Sequence, residues 1–125
     1  MPTVQNNSIQ VSPYEGKTFR FLAYACDGER LQAADVSGLS YTVWQVEMGT
    51  RTAVLGHSNV AVPTNCILPE SKTSSHTGKE YNVEHRISAA EFMPFPVVGV
   101  NYKVVYTFLD ASGDKYTCEI NCSCQ

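Results

Sequence analysis

Residues 100–124 read VNYKVVYTFLDASGDKYTCEINCSC, and this stretch decides the fold. In both halves every second residue is apolar, which is the period of a β-strand with one buried face. Residues 110–114, DASGD, either hydrogen-bond to their own backbone or tolerate a positive φ, so they form a tight turn. The stretch therefore predicts a terminal β-hairpin. Its predicted core positions are Tyr102, Tyr106, Phe108, Cys118, Ile120 and Cys122.

The three cysteines of this hairpin also match a metal-site pattern, C-x3-C-x-C. Residues four apart on a strand are about 13 Å from each other, whereas a zinc–sulfur bond is about 2.3 Å. Cys122 and Cys124 alone are close enough to share an ion, and Cys26 and Cys66 offer no second pair at a zinc-finger spacing. We expect free thiols that pack as small hydrophobic side chains, and no metal.

Length and charge limit the class of protein. A chain of 125 residues corresponds to one domain, residues 1–125, and we expect the polar residues 1–7 to form a flexible N-terminal arm. Nine basic and twelve acidic residues, with no basic run, argue against a nucleic-acid partner. No signal sequence or membrane span is apparent, and five cysteines are an odd number, so we expect folding in a reducing cytoplasm.

The rest of the chain reads as short β-segments separated by turns. Single helical turns are predicted within residues 30–36 and, from the capping-box pattern Ser-Ala-Ala-Glu, at residues 88–91. We predict an all-β, immunoglobulin-like antiparallel β-sandwich of seven to nine strands. Trp44 is expected in its core, and Tyr102 is the candidate for a tyrosine corner.

Residues typical of catalysis or of cofactor binding are not grouped in the sequence. His57, His76 and His85 are scattered, and no nucleophile elbow, phosphate loop or calcium loop is present. A pairing of such groups in space remains open at this point. Glu84 and Arg86 are expected to form a solvated charge pair. The sequence favours a protein that is not an enzyme and has no cofactor.

Two segments are candidate contacts for a partner. Residues 70–80 are the most polar part of the chain and predict an exposed loop, in which Lys72, His76 and Lys79 are candidate contact residues. Phe92 and Phe95 flank Pro94 and are expected at one end of the sandwich, where exposed apolar side chains would mark an interface.

Two stretches resemble small virion proteins of tailed bacteriophages. The first is AADVSGLSYTVWQV, residues 33–46, and the second runs from Gly78 to Phe108. In that family a strand like the first stretch is followed by a Gly-Tyr-Asn strand and turn, then by a Tyr-rich hairpin. The counterparts here are residues 78–87, Phe92 and residues 102–113, with Lys79 and Glu80 inserted relative to the family pattern and with the terminal cysteines as a further departure.

The resemblance implies an immunoglobulin-like, non-enzymatic structural subunit of the virion, present in many copies and folded in the host bacterial cytoplasm. Its partners would be capsid, portal or tail components, and it would act as a capsid decoration protein or as a head–tail neck protein. The alternative is a carbohydrate-binding or host-adhesion module, in which Trp44 or Tyr81 would stack on a sugar ring.

Overall fold

A computed structural model describes residues 9–25, 27–75, 77–89 and 92–125. Two single 3-10 turns lie at Ala33–Asp35 and Thr64–Cys66. The expected arm at residues 1–7 and the capping-box turn, which needs residues 90 and 91, fall outside the described residues. Within them the strands are β1 (Ile9–Val11), β2 (Lys17–Phe21), β3 (Val36–Glu47), β4 (Thr50–Ala53), β5 (Val60–Ala61), β6 (Ile67–Thr73), β7 (Glu80–Ile87), β8 (Asn101–Asp110) and β9 (Lys115–Cys124).

These strands form two sheets, and the predicted β-sandwich is confirmed. The larger sheet has the order β1-β9-β8-β3-β4, with β5 also paired to β3. The smaller sheet has the order β2-β7-β6. The arrangement β9-β8-β3 facing β2-β7-β6 is that of strands G-F-C facing B-E-D in an immunoglobulin domain. β4 and β5 extend the larger sheet next to strand C, as the extra strands of a variable-type domain do.

One pairing departs from the predicted antiparallel pattern. β1 runs parallel to β9, and Ile9 lies opposite Cys122 while Val11 lies opposite Cys124. The amide of Gln125 then donates to the Val11 carbonyl at 3.1 Å. A three-residue strand has too little periodicity to reveal the direction of its partner, so the sequence did not predict this.

The β8–β9 hairpin is as predicted, and its inner face supplies much of the core. Nine consecutive pairs link the strands, from Asn101 opposite Ser123 to Leu109 opposite Lys115. Phe108 and Tyr106 are fully buried, and Phe21 of the opposite sheet packs on both rings. The predicted core residues Tyr102, Tyr106, Phe108, Cys118, Ile120 and Cys122 all point inward.

Trp44 is the exception, and the prediction that it belongs to the core is wrong. β3 turns Leu39, Tyr41 and Val43 toward the opposite sheet, so Trp44 lies half-buried on the outer face. There the Arg51 guanidinium lies 6.0 Å from the centre of its ring. Both faces of β3 carry apolar residues, and only the position of the second sheet decides which face is buried.

The turn between β8 and β9 is organised by one carboxylate. Asp110 Oδ1 accepts hydrogen bonds from the Ser112 and Asp114 amides, both at 2.9 Å, and from the Ser112 hydroxyl at 2.7 Å. Asp110 Oδ2 accepts a bond from the Tyr116 hydroxyl at 2.6 Å. Gly113 adopts φ +94°, a left-handed conformation that favours glycine. The turn that joins the two strands is therefore held by hydrogen bonds from nearby residues to Asp110.

Two local predictions need correction. The segment expected to be a loop over residues 70–80 begins as strand, because β6 extends to Thr73 and pairs with β7 through Lys72 and Thr73. β6 is an edge strand facing solvent, which explains its polar composition. Glu84 pairs with Arg20 at 2.6 Å rather than with Arg86, because Arg20 lies directly opposite it on β2.

Candidate functional site

The link between β7 and β8 presents apolar side chains to solvent. We call residues 92–98 the connector segment. Four of its large apolar side chains are exposed, Phe92 at 38%, Met93 at 40%, Val97 at 43% and Val98 at 60%, and Pro96 is exposed as well. Leu55, which precedes the glycine that contacts Phe92, is exposed at 75%. Clustered exposed apolar side chains are typical of an interaction surface.

Phe95 was predicted as a contact residue at this surface, and that prediction is wrong. Its side chain is fully buried and contacts the Tyr102 ring edge-on, with ring centres 5.5 Å apart. Phe19 from the smaller sheet lies 6.3 Å away on another side. The neighbouring Pro94 is also buried. Phe95 therefore anchors the connector segment in the core, while Phe92 is exposed as expected.

The end of the connector segment is fixed by the predicted tyrosine corner. The Tyr102 hydroxyl accepts a hydrogen bond of 2.8 Å from the Val97 amide, and it lies 3.5 Å from the Val97 carbonyl. The Cys124 thiol donates to the Phe95 carbonyl over a distance of 3.4 Å. These contacts hold the backbone of the segment against β8 and β9, so that Val97 and Val98 stay in place at the surface.

The start of the segment is held by a buried histidine. His57 Nε2 lies 2.8 Å from the Phe92 carbonyl oxygen, and His57 Nδ1 lies 2.7 Å from the Tyr41 hydroxyl. A carbonyl can only accept, so Nε2 carries a hydrogen and donates it to Phe92, while Nδ1 forms the hydrogen bond with Tyr41. Gly56, next to this histidine, packs directly on the Phe92 ring.

A second histidine contacts the same tyrosine. The rings of His57 and His85 lie 5.9 Å and 5.3 Å from that of Tyr41. His85 Nδ1 is 2.9 Å from the Tyr106 hydroxyl, and burial lowers the pKa of His85, which favours the neutral ring as an acceptor. Burial also raises the pKa of Tyr41 and of Tyr106. Burial therefore favours the neutral forms of Tyr41, Tyr106 and His85, which suits a structural role.

The chemistry of the thiols is consistent with packing. Burial raises the pKa of both Cys118 and Cys122 to about 12, and it also raises the pKa of Cys66 and Cys124. All four thiols are free. Cys118, Cys122 and Cys124 on β9 are buried as predicted, and Cys26 lies outside the described residues. Within residues 9–25, 27–75, 77–89 and 92–125, no three His, Cys, Asp or Glu side chains are grouped to hold a metal.

The polar candidate contacts lie on another part of the molecule. Lys72 is exposed on β6, and Lys79 is exposed just before β7. Lys79 lines a groove together with Tyr81 and residues of β2. His76, the third candidate, is outside the described residues. The structure therefore does not bring Lys72 or Lys79 together with Phe92.

Both aromatic side chains of the carbohydrate alternative have an arginine over the ring. The Arg51 guanidinium carbon is 6.0 Å from the ring centre of Trp44, and that of Arg20 is 5.6 Å from the ring centre of Tyr81. Arg51 and Arg20 also form ion pairs, with Glu119 and Glu84. Each arginine is therefore fixed where a sugar ring would stack.

Sequence reasoning missed the contribution of His57. Its isolation in the sequence hides the fact that β3 and β7 bring Tyr41 and His85 close to it. The available signal in the sequence was the adjacent Gly56, because a glycine often marks a tight turn. In the structure its φ is +82°, and its missing side chain leaves room for Phe92.

No helix long and apolar enough to cross a bilayer occurs in the described part of the chain. No known sequence family matches this protein, and no curated protein matches it either. Among solved structures, a chain of murine CRIg is similar to it, with 10% identity and a TM-score of 0.44. The match covers 100% of this chain and 98% of the CRIg chain.

Proposed function

We propose that this protein is a non-enzymatic structural subunit of a tailed-phage virion that docks on a symmetric array, either as a capsid decoration protein or as a head–tail neck protein. The sequence resemblance of residues 33–46 and 78–108 motivates the virion role. The single observation that supports docking is the connector segment, which exposes Phe92, Met93, Val97 and Val98 from a firmly held backbone.

A held backbone favours binding because little conformational entropy is lost when the partner docks. The connector segment is fixed at its start by His57, in its middle by the buried Phe95 and at its end by Tyr102. Its exposed side chains are thus presented in one arrangement before any partner arrives. Such preorganisation is what a contact repeated on many identical subunits requires.

The exposed apolar surface is small for a tight pairwise interface, since stable interfaces bury about 1,200–2,000 Å² in total. Four side chains and Leu55 supply only part of that area. Many copies on one array gain strength from effective concentration instead. We therefore propose that single subunits bind weakly and that the assembled particle retains them.

The test mixes the purified protein with capsid, portal and tail components of its phage and follows mass by light scattering and symmetry by electron microscopy. A ring of fixed stoichiometry would support the neck role, and binding only to preassembled capsids would support decoration. The double substitution Phe92→Ser and Val98→Ser should abolish this binding. Tyr14→Ser, at an 82% exposed aromatic residue outside the connector segment, is the matched control and should have no effect.

Absence of binding to every component would overturn the proposal. Binding of the wild type to polysaccharide instead would support the host-adhesion alternative. Removing Arg51 and Arg20 from above the rings should then strengthen polysaccharide binding by freeing Trp44 and Tyr81, whereas a virion subunit would show no such gain.

A further inference from the structure

A groove runs along the seam where the edges of the two sheets meet. We call it the seam groove, and its volume is about 380 Å³. It lies between Ile9 at the start of β1 and the length of β2, and its far side is formed by Ser74, Thr77, Lys79, Glu80 and Tyr81. On the β2 side its lining residues are Lys17, Thr18, Arg20, Phe21 and Leu22.

The lining shows that the groove follows the edge of β2 rather than one face of the sheet. Successive residues of a strand point to opposite faces. The groove nevertheless contacts Lys17 and Phe21 on one face and Thr18 and Arg20 on the other. β2 is an end strand of the smaller sheet, paired with β7 alone among the described strands. Such an edge offers backbone N–H and C=O groups to a further strand.

The charges in the seam groove are unbalanced toward positive. Arg20 is paired with Glu84 at 2.6 Å, and Glu80 is paired with Arg30 at 2.7 Å, so both of these charges are already compensated. The amino groups of Lys17 and Lys79 have no carboxylate of the described residues within 4.0 Å. Two lysines that have no carboxylate partner among the described residues, beside a strand edge that no described strand pairs with, complement a segment that carries negative charge.

We propose that the seam groove binds an extended acidic peptide segment of a partner protein, which adds to the edge of β2 as a further strand. Backbone hydrogen bonds to β2 supply the alignment, and Lys17 and Lys79 select acidic side chains of the added strand. This site lies on different elements from the connector segment and does not depend on the proposed docking through Phe92.

Other occupants of the groove fit less well. Residues 1–8, MPTVQNNS, directly precede Ile9 but contain no Asp or Glu to meet the two lysines. A sugar would need an open aromatic face, and the Tyr81 ring has the Arg20 guanidinium 5.6 Å from its centre. An acidic strand uses both the open edge and the lysines.

The probe for the test is a seven-residue peptide with blocked ends that alternates glutamate with threonine and valine. Its control replaces each glutamate with glutamine. Affinity for the full-length protein is measured by fluorescence anisotropy at low and at physiological salt. We expect the acidic peptide to bind and the neutral peptide to bind at least about tenfold more weakly, with the difference shrinking as salt rises.

Variants of the protein test which residues select the charge. Lys17→Gln with Lys79→Gln should reduce affinity for the acidic peptide to that for the neutral peptide. Lys115→Gln, at an exposed lysine of the β8–β9 hairpin, is the matched control and should leave affinity unchanged. Phe92→Ser should also leave it unchanged, which separates this site from the proposed virion docking.

Strand addition has its own measurement. An acidic peptide with N-methyl groups on every amide cannot donate to β2 from either edge, so it should lose binding, and the unmodified peptide should slow hydrogen exchange at amides of β2. Equal binding of the acidic and neutral peptides, or of the N-methylated peptide, would overturn the proposal. So would β2 amides that are all protected in the free protein, because the chain itself would then fill the groove.

Discussion

The Val97 amide donates a 2.8 Å hydrogen bond to the hydroxyl of Tyr102, five residues later. Tyr102 is almost fully buried at the start of β8, and its ring also contacts Phe95. One side chain therefore connects the start of β8 to the surface on which the proposed docking depends. Loss of this contact should affect stability and surface geometry together.

We expect Tyr102→Phe to lower the free energy of unfolding by about 1–2 kcal/mol, because the part-buried hydrogen bond from the Val97 amide is lost while the ring remains. Urea denaturation measures this change, and hydrogen exchange at Val97 should become faster. Tyr14→Phe, at an exposed tyrosine, is the control and should change neither quantity. Unaltered exchange at Val97 would show that the hydroxyl does not hold the connector segment.

Gly56 allows a direct test of how Phe92 is positioned. An added Cβ at Gly56 would lie 2.8 Å from Phe92 Cβ and still closer to its ring, whereas at Gly49 nothing lies within 4 Å. Their φ angles are alike, +82° and +80°, so alanine adds a similar backbone strain of about 1–2 kcal/mol at either site.

Gly56→Ala should therefore destabilise the protein more than Gly49→Ala does, and it alone should displace Phe92. Thermal unfolding gives the stabilities, and binding to virion components gives the effect on the proposed function. Equal destabilisation by the two substitutions would mean that Phe92 moves aside without cost.

The Asn82 side chain holds the segment that follows β2 in place through hydrogen bonds. Its side chain is buried and accepts a bond from the Ala23 amide at 2.7 Å, while its Nδ2 donates to the carbonyls of Ala23 and Leu31 at 2.9 and 3.3 Å. Asn82→Ala removes the side-chain partner of the Ala23 amide and of the Leu31 carbonyl, while the Ala23 carbonyl still accepts from the Leu31 amide at 3.1 Å. We expect a loss of roughly 2–4 kcal/mol in the free energy of unfolding.

The measurement is the free energy of unfolding in urea, compared with Asn101→Ala at an exposed position of β8. The control should stay within about 0.5 kcal/mol of the wild type. If Asn82→Ala behaves like the control, water replaces the amide and the segment from Ala23 to Leu31 does not rely on it.

The β8–β9 turn makes the free energy of unfolding depend on pH in the acid range. Hydrogen bonds from Tyr116, then from Ser112 and the backbone, lower the pKa of Asp110 from 3.8 to about 2. A carboxyl whose pKa is lower in the folded state stabilises the protein above its unfolded pKa. This contribution should decline as pH falls from about 4 to about 2, and it should be absent in Asp110→Asn.

Urea unfolding at pH 2, 3, 4 and 6 checks this expectation for the wild type and the variant. Asp114→Asn is the matched control, since it alters a carboxylate in the same turn but keeps the backbone amide that donates to Asp110, so the contribution of Asp110 should persist in it. Parallel profiles for the wild type and Asp110→Asn would contradict the role assigned to Asp110.

The hairpin thiols should be unreactive in the folded protein. Because burial raises the pKa of Cys118 and Cys122 to about 12, almost no thiolate is present at pH 8. Iodoacetamide labelling followed by peptide mapping should modify these two residues in urea but not in buffer. Equal labelling in both conditions would mean that β9 opens readily.

The sequence was most informative where structure is local. The strict alternation of residues 100–108 and 116–124, joined by five turn-forming residues, predicted the hairpin, its inward face and the Tyr102 corner, all of which the structure confirms. A hairpin needs only neighbouring residues to define its pairing, so its pattern is complete within 25 residues.

The predictions were wrong where residues far apart in the sequence determine which side chains are buried. Phe95, between two prolines, has the local signature of an exposed turn, but Tyr102 and Phe19 enclose it. The two faces of β3 look alike in sequence, so the burial of Tyr41 rather than Trp44 follows only from how the sheets stack. The hydrogen bond between the His57 ring and the Phe92 carbonyl likewise joins residues 35 positions apart.

The parallel pairing of β1 with β9 bears on where a reporter protein could be fused. β9 ends at Cys124 beside the connector segment, where the Gly99 amide donates to the Cys124 carbonyl at 2.9 Å. β1 runs toward this same end, so its first residue, Ile9, is turned toward the β8–β9 turn. Both β1 and β9 therefore run toward the connector segment, and a reporter joined after Gln125 would crowd the proposed docking surface.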